Sequence, residues 1–368
     1  MNLPPAPPTE GIKYIGSKLK LLPGILYLAQ KAVGRKAPGR VLDAFSGTTR
    51  VSQALAQHGW EVWCNDLAVW SEVFATCYLL NRQSVAYYQS LLDHLNGCQP
   101  KDGWFTLMYG GDALAGDGKK RPWQIHVTRK LDAIREEIER LKLAPVEKAV
   151  VLTSLMLALD RVDNTLGHFA SYLRGWSARS YRPLVLSVPR LLETKANHRV
   201  FRLDVFDLLP QAEVDLAYLD PPYGSNNELM PSSRVRYAAY YHLWTTICQF
   251  DYPEVFGRSN RRRDTSDRVA GSVFEEYRKD ESGIYIAVRA IERLIQEILS
   301  PWVILSYSSG GRATAEQLDM ILRSHGRIVE VLQMDYRQHV MTGMTSTGEW
   351  IRAVEKPHRE FLFLLRKN

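Results

Sequence analysis

The feature that most limits how this chain can fold is a run of alternating elements between residues 40 and 65. Arg40-Val-Leu-Asp-Ala-Phe45 is a short apolar run stopped by Ser46-Gly-Thr-Thr49. Residues 51–58 then carry helical spacing with Gly59 as a C-cap, and Trp60-Glu-Val-Trp-Cys-Asn65 reads as a second strand closed by Asp66. Strand, glycine-containing turn, helix and strand make a βαβ unit. Such a unit demands parallel pairing, helices over the sheet, and ligands at the carboxyl ends of the strands.

The same alternation returns further along. Residues 199–204 and 214–220 read as strands, as do 302–307, 327–334 and 360–365, with helices expected at 21–33, 284–299 and 314–324. Two stretches interrupt the pattern. Between 84 and 192 the strand signal fades: 130–142 reads as a charged, solvated helix and 145–160 as a long apolar one. From 224 to 283 the chain is polar, aromatic and Arg-rich with little periodicity. No internal repeat is visible.

Composition decides what such a chain can be. With 368 residues, 45% hydrophobic and 24% charged, it can bury a sizeable core and lacks a disordered composition. The net charge of +7 suggests a polyanionic partner without establishing one. Cys64, Cys77, Cys98 and Cys248 form no C-x-x-C pair and have no histidine at metal spacing, which argues against a disulfide framework or a metal site. The Pro-rich start has no basic-then-apolar leader and no window is apolar enough to span a bilayer, so a soluble cytoplasmic protein is expected.

The chemistry concentrates at Leu219-Asp-Pro-Pro-Tyr223, the end of an apolar strand. Pro221 and Pro222 fix φ and remove two backbone donors, so the turn is stiff and offers carbonyls without competing N–H groups. The Asp220 carboxylate and the Pro221 carbonyl can each accept one hydrogen of an exocyclic amine while Tyr223 stacks on its ring. Accepting both hydrogens turns the nitrogen lone pair toward an electrophile. The plainer reading is a tight turn with a solvated Asp220. Gly47 lets the backbone approach a ligand closely, the helix after it offers N–H groups to a carboxylate, and Asp66 stands where a ribose diol would be held. There is no G-x-G-x-x-G, which weakens a dinucleotide reading.

Taken together, these motifs resemble the D12 class of DNA adenine-N6 methyltransferases over most of the chain. Lys13-Tyr-Ile-Gly-Ser-Lys18 is similar to the family's N-terminal cofactor motif, Asp43-Ala-Phe-Ser-Gly-Thr-Thr-Arg-Val51 to its motif I, and Asn65-Asp-Leu67 to its acidic motif II. Arg202-Leu-Asp-Val-Phe206 resembles the motif whose Asp holds the cofactor's adenine, and Asp220-Pro-Pro-Tyr223 its catalytic motif IV. Segments 160–167, 240–244 and 305–310 resemble the FokI-methylase branch rather than Dam. The resemblance implies an α/β, Rossmann-like S-adenosylmethionine-dependent methyltransferase core with a seven-stranded, mostly parallel sheet. It also implies methyl transfer to adenine N6 in duplex DNA. Implied cofactor residues are Lys13, Tyr14, Gly16, Ser17, Lys18, Asp43, Phe45, Ser46, Gly47, Thr48, Thr49, Arg50, Val51, Asp66, Leu67, Asp204 and Val205. The expected organisation is core at 1–95, a helical insertion at 96–195, core at 196–224, a target-recognition insertion at 225–283 and core at 284–368.

For DNA contact, residues 164–192 hold Arg174, Arg179, Arg182 and Arg190 and no acid. Residues 257–268 hold Arg258, Arg261, Arg262, Arg263 and Arg268 with only two acids. Either stretch, alone, reads equally as a solvated loop. No cysteine follows a proline, as a cytosine-C5 nucleophile usually does. His168 and His242 are expected to pack locally rather than act as bases, and Trp60, Trp63 and Trp70 to be core. The expected partners are double-stranded DNA and a cognate restriction endonuclease, with the protein acting as a monomer. The rival readings are cytosine-N4 methylation and a catalytically silent DNA-binding module.

Overall fold

The computed structural model describes residues 3–34, 37–112, 114, 121–223, 236–266, 272–335, 340–344 and 359–368. The seven expected strands all form and share one sheet: β1 (Arg40–Asp43), β2 (Glu61–Asn65), β3 (Arg199–Phe201), β4 (Leu216–Leu219), β5 (Trp302–Ser308), β6 (Gly326–Asp335) and, last in the chain, β8 (Arg359–Lys367). An eighth strand, β7 (Val340–Met344), joins the edge beside β6. It is absent from the sequence expectation because Val-Met-Thr-Gly-Met is short and carries a glycine, which strands disfavour; pairing with β6 makes it a strand, not its own pattern.

The sheet order is β7-β6-β8-β5-β4-β1-β2-β3. From β3 across to β5 every pairing is parallel, whereas β8 runs antiparallel to β5, and the β8-β6 and β6-β7 pairs are also antiparallel. Period-two alternation gives each face its own core. Val41, Leu216, Tyr218, Ile304, Leu362 and Leu364 pack on one side with helices Leu22–Val33 and Arg50–Gln57. Leu42, Ala217, Leu219, Val303, Leu305, Phe361 and Phe363 pack on the other with helices Ile286–Glu297 and Ala315–His325. The chain turns from β1 toward β2 on one side and is joined by β4 on the other, so a crevice opens at the carboxyl ends of β1, β2 and β4.

The insertions differ from expectation in three places. Helices Val85–Gly97, Trp104–Tyr109, Ile125–Arg140 and Pro145–Val162 build the helical part, the first running across the expected boundary at 95. Helix Ile125–Arg140 is not simply a solvated face. Asp132, 3% exposed, accepts from the Phe105 and Thr106 amides at 2.9 Å each, and fully buried Arg135 lies over the Phe250 ring at 4.5 Å. From 163 to 198 the chain is not helical beyond the turn Ala178–Tyr181, which Pro183 keeps from continuing as a helix. Among the described residues of 225–283, helix Tyr237–Tyr240 buries Ala239 and helix His242–Gln249 buries Leu243, Trp244 and Ile247 in the core. Among the described residues, no helix is long and apolar enough to cross a membrane.

Candidate active site

The crevice at the strand ends holds a cavity of about 560 Å³. Tyr14, Gly16, Ser17 and Lys18 line it from the N-terminal segment; Asp43, Phe45, Ser46, Gly47, Thr48, Arg50 and Val51 from β1 and the turn after it. Asp66 and Leu67 follow β2, Asp204 and Val205 follow β3, and Asp220, Pro221, Pro222 and Tyr223 follow β4. Apart from the N-terminal segment, these stretches converge because each sits at the carboxyl end of a parallel strand. Arg202, from the same motif as Asp204, and Trp70, Tyr237 and Glu275 complete much of the wall, and the last three carried no sequence assignment there. Trp70 is core, as expected, and wall at once.

Two expected cofactor residues stay outside the cavity. The Lys13 ammonium is held by the Asp163 carboxylate at 2.5 Å and the Asp160 carbonyl at 2.5 Å, so it ties the N-terminal segment to the helical part instead. Thr49 is fully buried at φ +60°; its hydroxyl donates to the Thr48 carbonyl at 2.7 Å and accepts from Gln53 at 3.0 Å, which fixes the turn. Arg50 lines the cavity, but its guanidinium also donates to the Thr9 and Gly11 carbonyls at 2.8 and 2.9 Å.

The turn itself is shaped by Gly47, at φ +48°, where a Cβ would lie 3.4 Å from the Tyr14 ring. Tyr14 is fixed in turn by stacking on Tyr241 and Tyr237, with centroids 4.6 and 5.5 Å apart. Asp66 accepts from the Gly47 and Ala68 amides at 2.8 and 2.9 Å, spending one lone pair of each oxygen on the loop. Asp204 caps helix Val205–Leu208 by accepting from the Phe206 amide at 2.9 Å. Asp43 is fully buried: Oδ2 accepts from the Ser52 hydroxyl at 2.6 Å, while Oδ1 has no hydrogen-bond partner. Burial, against the Ser52 bond and with repulsion from Asp220 and Asp66, pushes its carboxyl up to about 7.

At the other end of the cavity Asp220, 15% exposed, accepts from the Tyr223 hydroxyl and pairs with the Lys18 ammonium at 3.1 Å, both through Oδ1. Glu360, near the start of β8, takes the other side of Lys18 and accepts from Ser306 Oγ at 3.1 Å. The Tyr223 hydroxyl lies 3.0 Å from Ser306 Oγ, and its ring packs edge-on against Tyr307. Burial raises Asp220 to about 6, Lys18 working against that shift and Glu360 with it. Glu360 carries no sequence signal as a site residue. It is a charged residue entering an apolar strand, and only the antiparallel run of β8 brings it to the edge where the parallel strands end.

The sequence model of the D12 class N6 adenine-specific DNA methyltransferases matches residues 14–281. The chain belongs to this family. It is 28% identical over 360 residues to modification methylase StsI of Streptococcus sanguinis, covering 92% of this chain and 50% of that protein. It is 26% identical over 333 residues to the type II methyltransferase M.NlaIII of Neisseria lactamica, covering 89% of this chain and 92% of that one. To M.FokI of Planomicrobium okeanokoites it is 26% identical over 376 residues, 97% of this chain and 53% of that one. The chain therefore spans about half the length of StsI and FokI but nearly all of NlaIII.

In this D12 chain the arginines expected on DNA divide into two sets. Arg174, Arg182 and Arg258 are exposed. Arg179 instead donates to the Asp163 and Thr165 carbonyls at 2.7 and 2.6 Å. Arg262, 6% exposed, is forked onto Asp251 at 2.8 Å and Asp264 at 2.9 Å and lines the cavity, which sets it against a role on the DNA backbone. Arg263 pairs with Glu254 at 2.7 Å, and Arg261 lies over the Phe256 ring at 4.8 Å. Arg268 lies outside the described residues. His242 is fully buried and pulled down to about 3 by that burial, so it is neutral packing, and His168 stacks on Tyr240 at 4.6 Å. Burial pushes the Cys77 and Cys248 thiols up to about 12, which leaves neither as a ready nucleophile.

Proposed function

We propose that this chain transfers the methyl group of S-adenosylmethionine to the N6 amino group of an adenine flipped out of duplex DNA. It would act in the cytoplasm as a monomer, as the modification partner of a restriction endonuclease. The observation that carries the reading is the placement of the Asp220-Pro-Pro-Tyr223 turn in the same cavity as Asp43, Asp66 and Asp204.

The donor set suits the cofactor. Its sulfonium and ammonium are cationic, and the wall offers Asp43, whose buried Oδ1 lacks a partner, together with Asp66 and Glu275. Asp66 would hold the ribose, Asp204 the adenine, and the Gly47 turn the methionine part. When bound, the cofactor supplies an electrophilic methyl carbon on sulfur. With Asp220 Oδ1 taken by Lys18 and Tyr223, Oδ2 accepts one amino hydrogen and the Pro221 carbonyl the other. Those two bonds would release the N6 lone pair from the ring and aim it at the methyl carbon the cofactor would supply. The amine then sheds a proton, which Asp220 is placed to take. Extruding the base costs a few kcal/mol, offset by these bonds and by the Tyr223 ring. Exposed Arg174, Arg182 and Arg258 would meet phosphates.

Incubating duplex DNA with methyl-labelled cofactor and the protein, followed by nucleoside analysis, tests the reading. N6-methyladenine is expected. N4-methylcytosine would establish the other exocyclic amine as the target, and tight DNA binding without label would make the chain a silent module.

A further inference from the structure

The Lys18 ammonium sits between two carboxylates of different origin. Asp220 belongs to the catalytic turn, 3.1 Å away, while Glu360 enters from the C-terminal strand. Lys18 is 7% exposed and Glu360 4%. Placing a second acid here is costly unless it does something for the first, because two buried carboxylates on one cation leave an excess negative charge. The topology makes the placement deliberate. β8 runs antiparallel to β5 with Glu360 opposite Ser308, so its first residues lie where β1, β4 and β5 finish. Ser306, on β5, links the pair: its hydroxyl donates to Glu360 at 3.1 Å and lies 3.0 Å from the Tyr223 hydroxyl, which itself donates to Asp220.

We propose that Glu360 is a positioning residue for methyl transfer: it shares Lys18 with Asp220, so that the ammonium fixes the catalytic carboxylate without neutralising it as an acceptor for the target amine. This rests on the reading of Asp220 given above. A carboxylate paired with a lysine of its own accepts a hydrogen bond less strongly than one whose lysine is divided. Among the described residues, the other groups facing the cluster are the Tyr218 hydroxyl from β4, Asp43 from β1, Tyr14 from the N-terminal segment and Tyr237 from its short helix, each sensing the Asp220 charge. None of them supplies a second cation. Among the shifts acting on Asp220, Lys18 works downward and Glu360 upward, which sets the sign of the test.

Single-turnover methyl transfer to unmethylated genomic DNA should be measured from about pH 5 to pH 9 for the wild-type chain, Glu360→Gln, Glu360→Asp, Ser306→Ala and Asp220→Asn. In Glu360→Gln, Asp220 no longer shares the Lys18 charge with Glu360. The acid limb should move down by about one pH unit, and the plateau rate should fall about tenfold. Glu360→Asp keeps the charge and should hold the limb at its wild-type pH. Ser306→Ala removes a donor from Glu360, which then draws Lys18 harder, and the limb should move up. Thermal melting and cofactor binding report folding, and should Glu360→Gln not fold, the upward limb of Ser306→Ala carries the test alone. An inactive Asp220→Asn together with an unmoved or raised limb in Glu360→Gln, or an unmoved limb in Ser306→Ala, overturns the role of Glu360. Near-normal transfer by Asp220→Asn overturns instead the reading of Asp220.

Discussion

Replacing Gly47 with alanine strikes at the turn that lines the proposed cofactor cavity. The residue sits at φ +48° with the Tyr14 ring 3.4 Å from a new Cβ, and a left-handed non-glycine costs about 1–3 kcal/mol. Cofactor affinity in Gly47→Ala should fall about tenfold or more by calorimetry, since about 1.4 kcal/mol is tenfold in a binding constant. Asp43 makes a second expectation. Its carboxyl lies near 7 because of burial, above its unfolded value, so its contribution to stability is present at low pH and lost as pH rises through 7. A cationic ligand reverses the sign locally. Binding should tighten as pH rises through about 7, and Asp43→Asn should flatten that rise. Gly47, Asp66 and Asp220 were legible because their residue types are unusual for their places. Glu360 was not, since a glutamate at the start of a strand looks like any solvated end until the neighbouring strand is known.

Among the elements, legibility followed periodicity. The strands at β1, β2, β4 and β5 and the helix Leu22–Val33 announce themselves through spacing, because their two faces or single stripe meet cores. β7 and the helices at 237–249 did not, being short and defined by what they pack against. Arginine-rich loops were the least readable, since sequence shows charge but not its partner. Arg262 is buried on Asp251 and Asp264, whereas Arg258 is exposed. Arg262→Ala should therefore lower stability by about 1–3 kcal/mol, toward the low end because both aspartates can rehydrate. Arg258→Ala should leave the melting temperature in place and reduce the salt slope of DNA binding by about one. A salt slope unchanged in Arg258→Ala, measured by titration across ionic strengths, would remove that loop from the DNA contact.

At the scale of the whole molecule, the cavity is assembled from residues 14–18, from four strand ends and from segments as late as 275, so a bound cofactor would bridge segments spread over residues 14–275. Saturating cofactor at about a hundred times its Kd should add about 2.7 kcal/mol to stability, seen as a single melting transition moved upward. Two transitions with only one moving would separate the helical part from the site. The surplus of +7 is similarly a property of the whole. It hinted at a polyanion, yet many of the arginines behind it are spent on internal ion pairs, and in the proposed function the carboxylate at the end of β4 carries the chemistry instead. The most direct measurement is single-turnover transfer from labelled cofactor to DNA by wild-type and Asp220→Asn protein, each with cofactor occupancy confirmed. With Lys18 holding the amide oxygen, the asparagine would turn an NH2 toward the target amine, and losing that acceptor should cost about 10²–10³ in rate while the cofactor stays bound. A variant that transfers methyl groups to adenine at close to the wild-type rate would contradict the account.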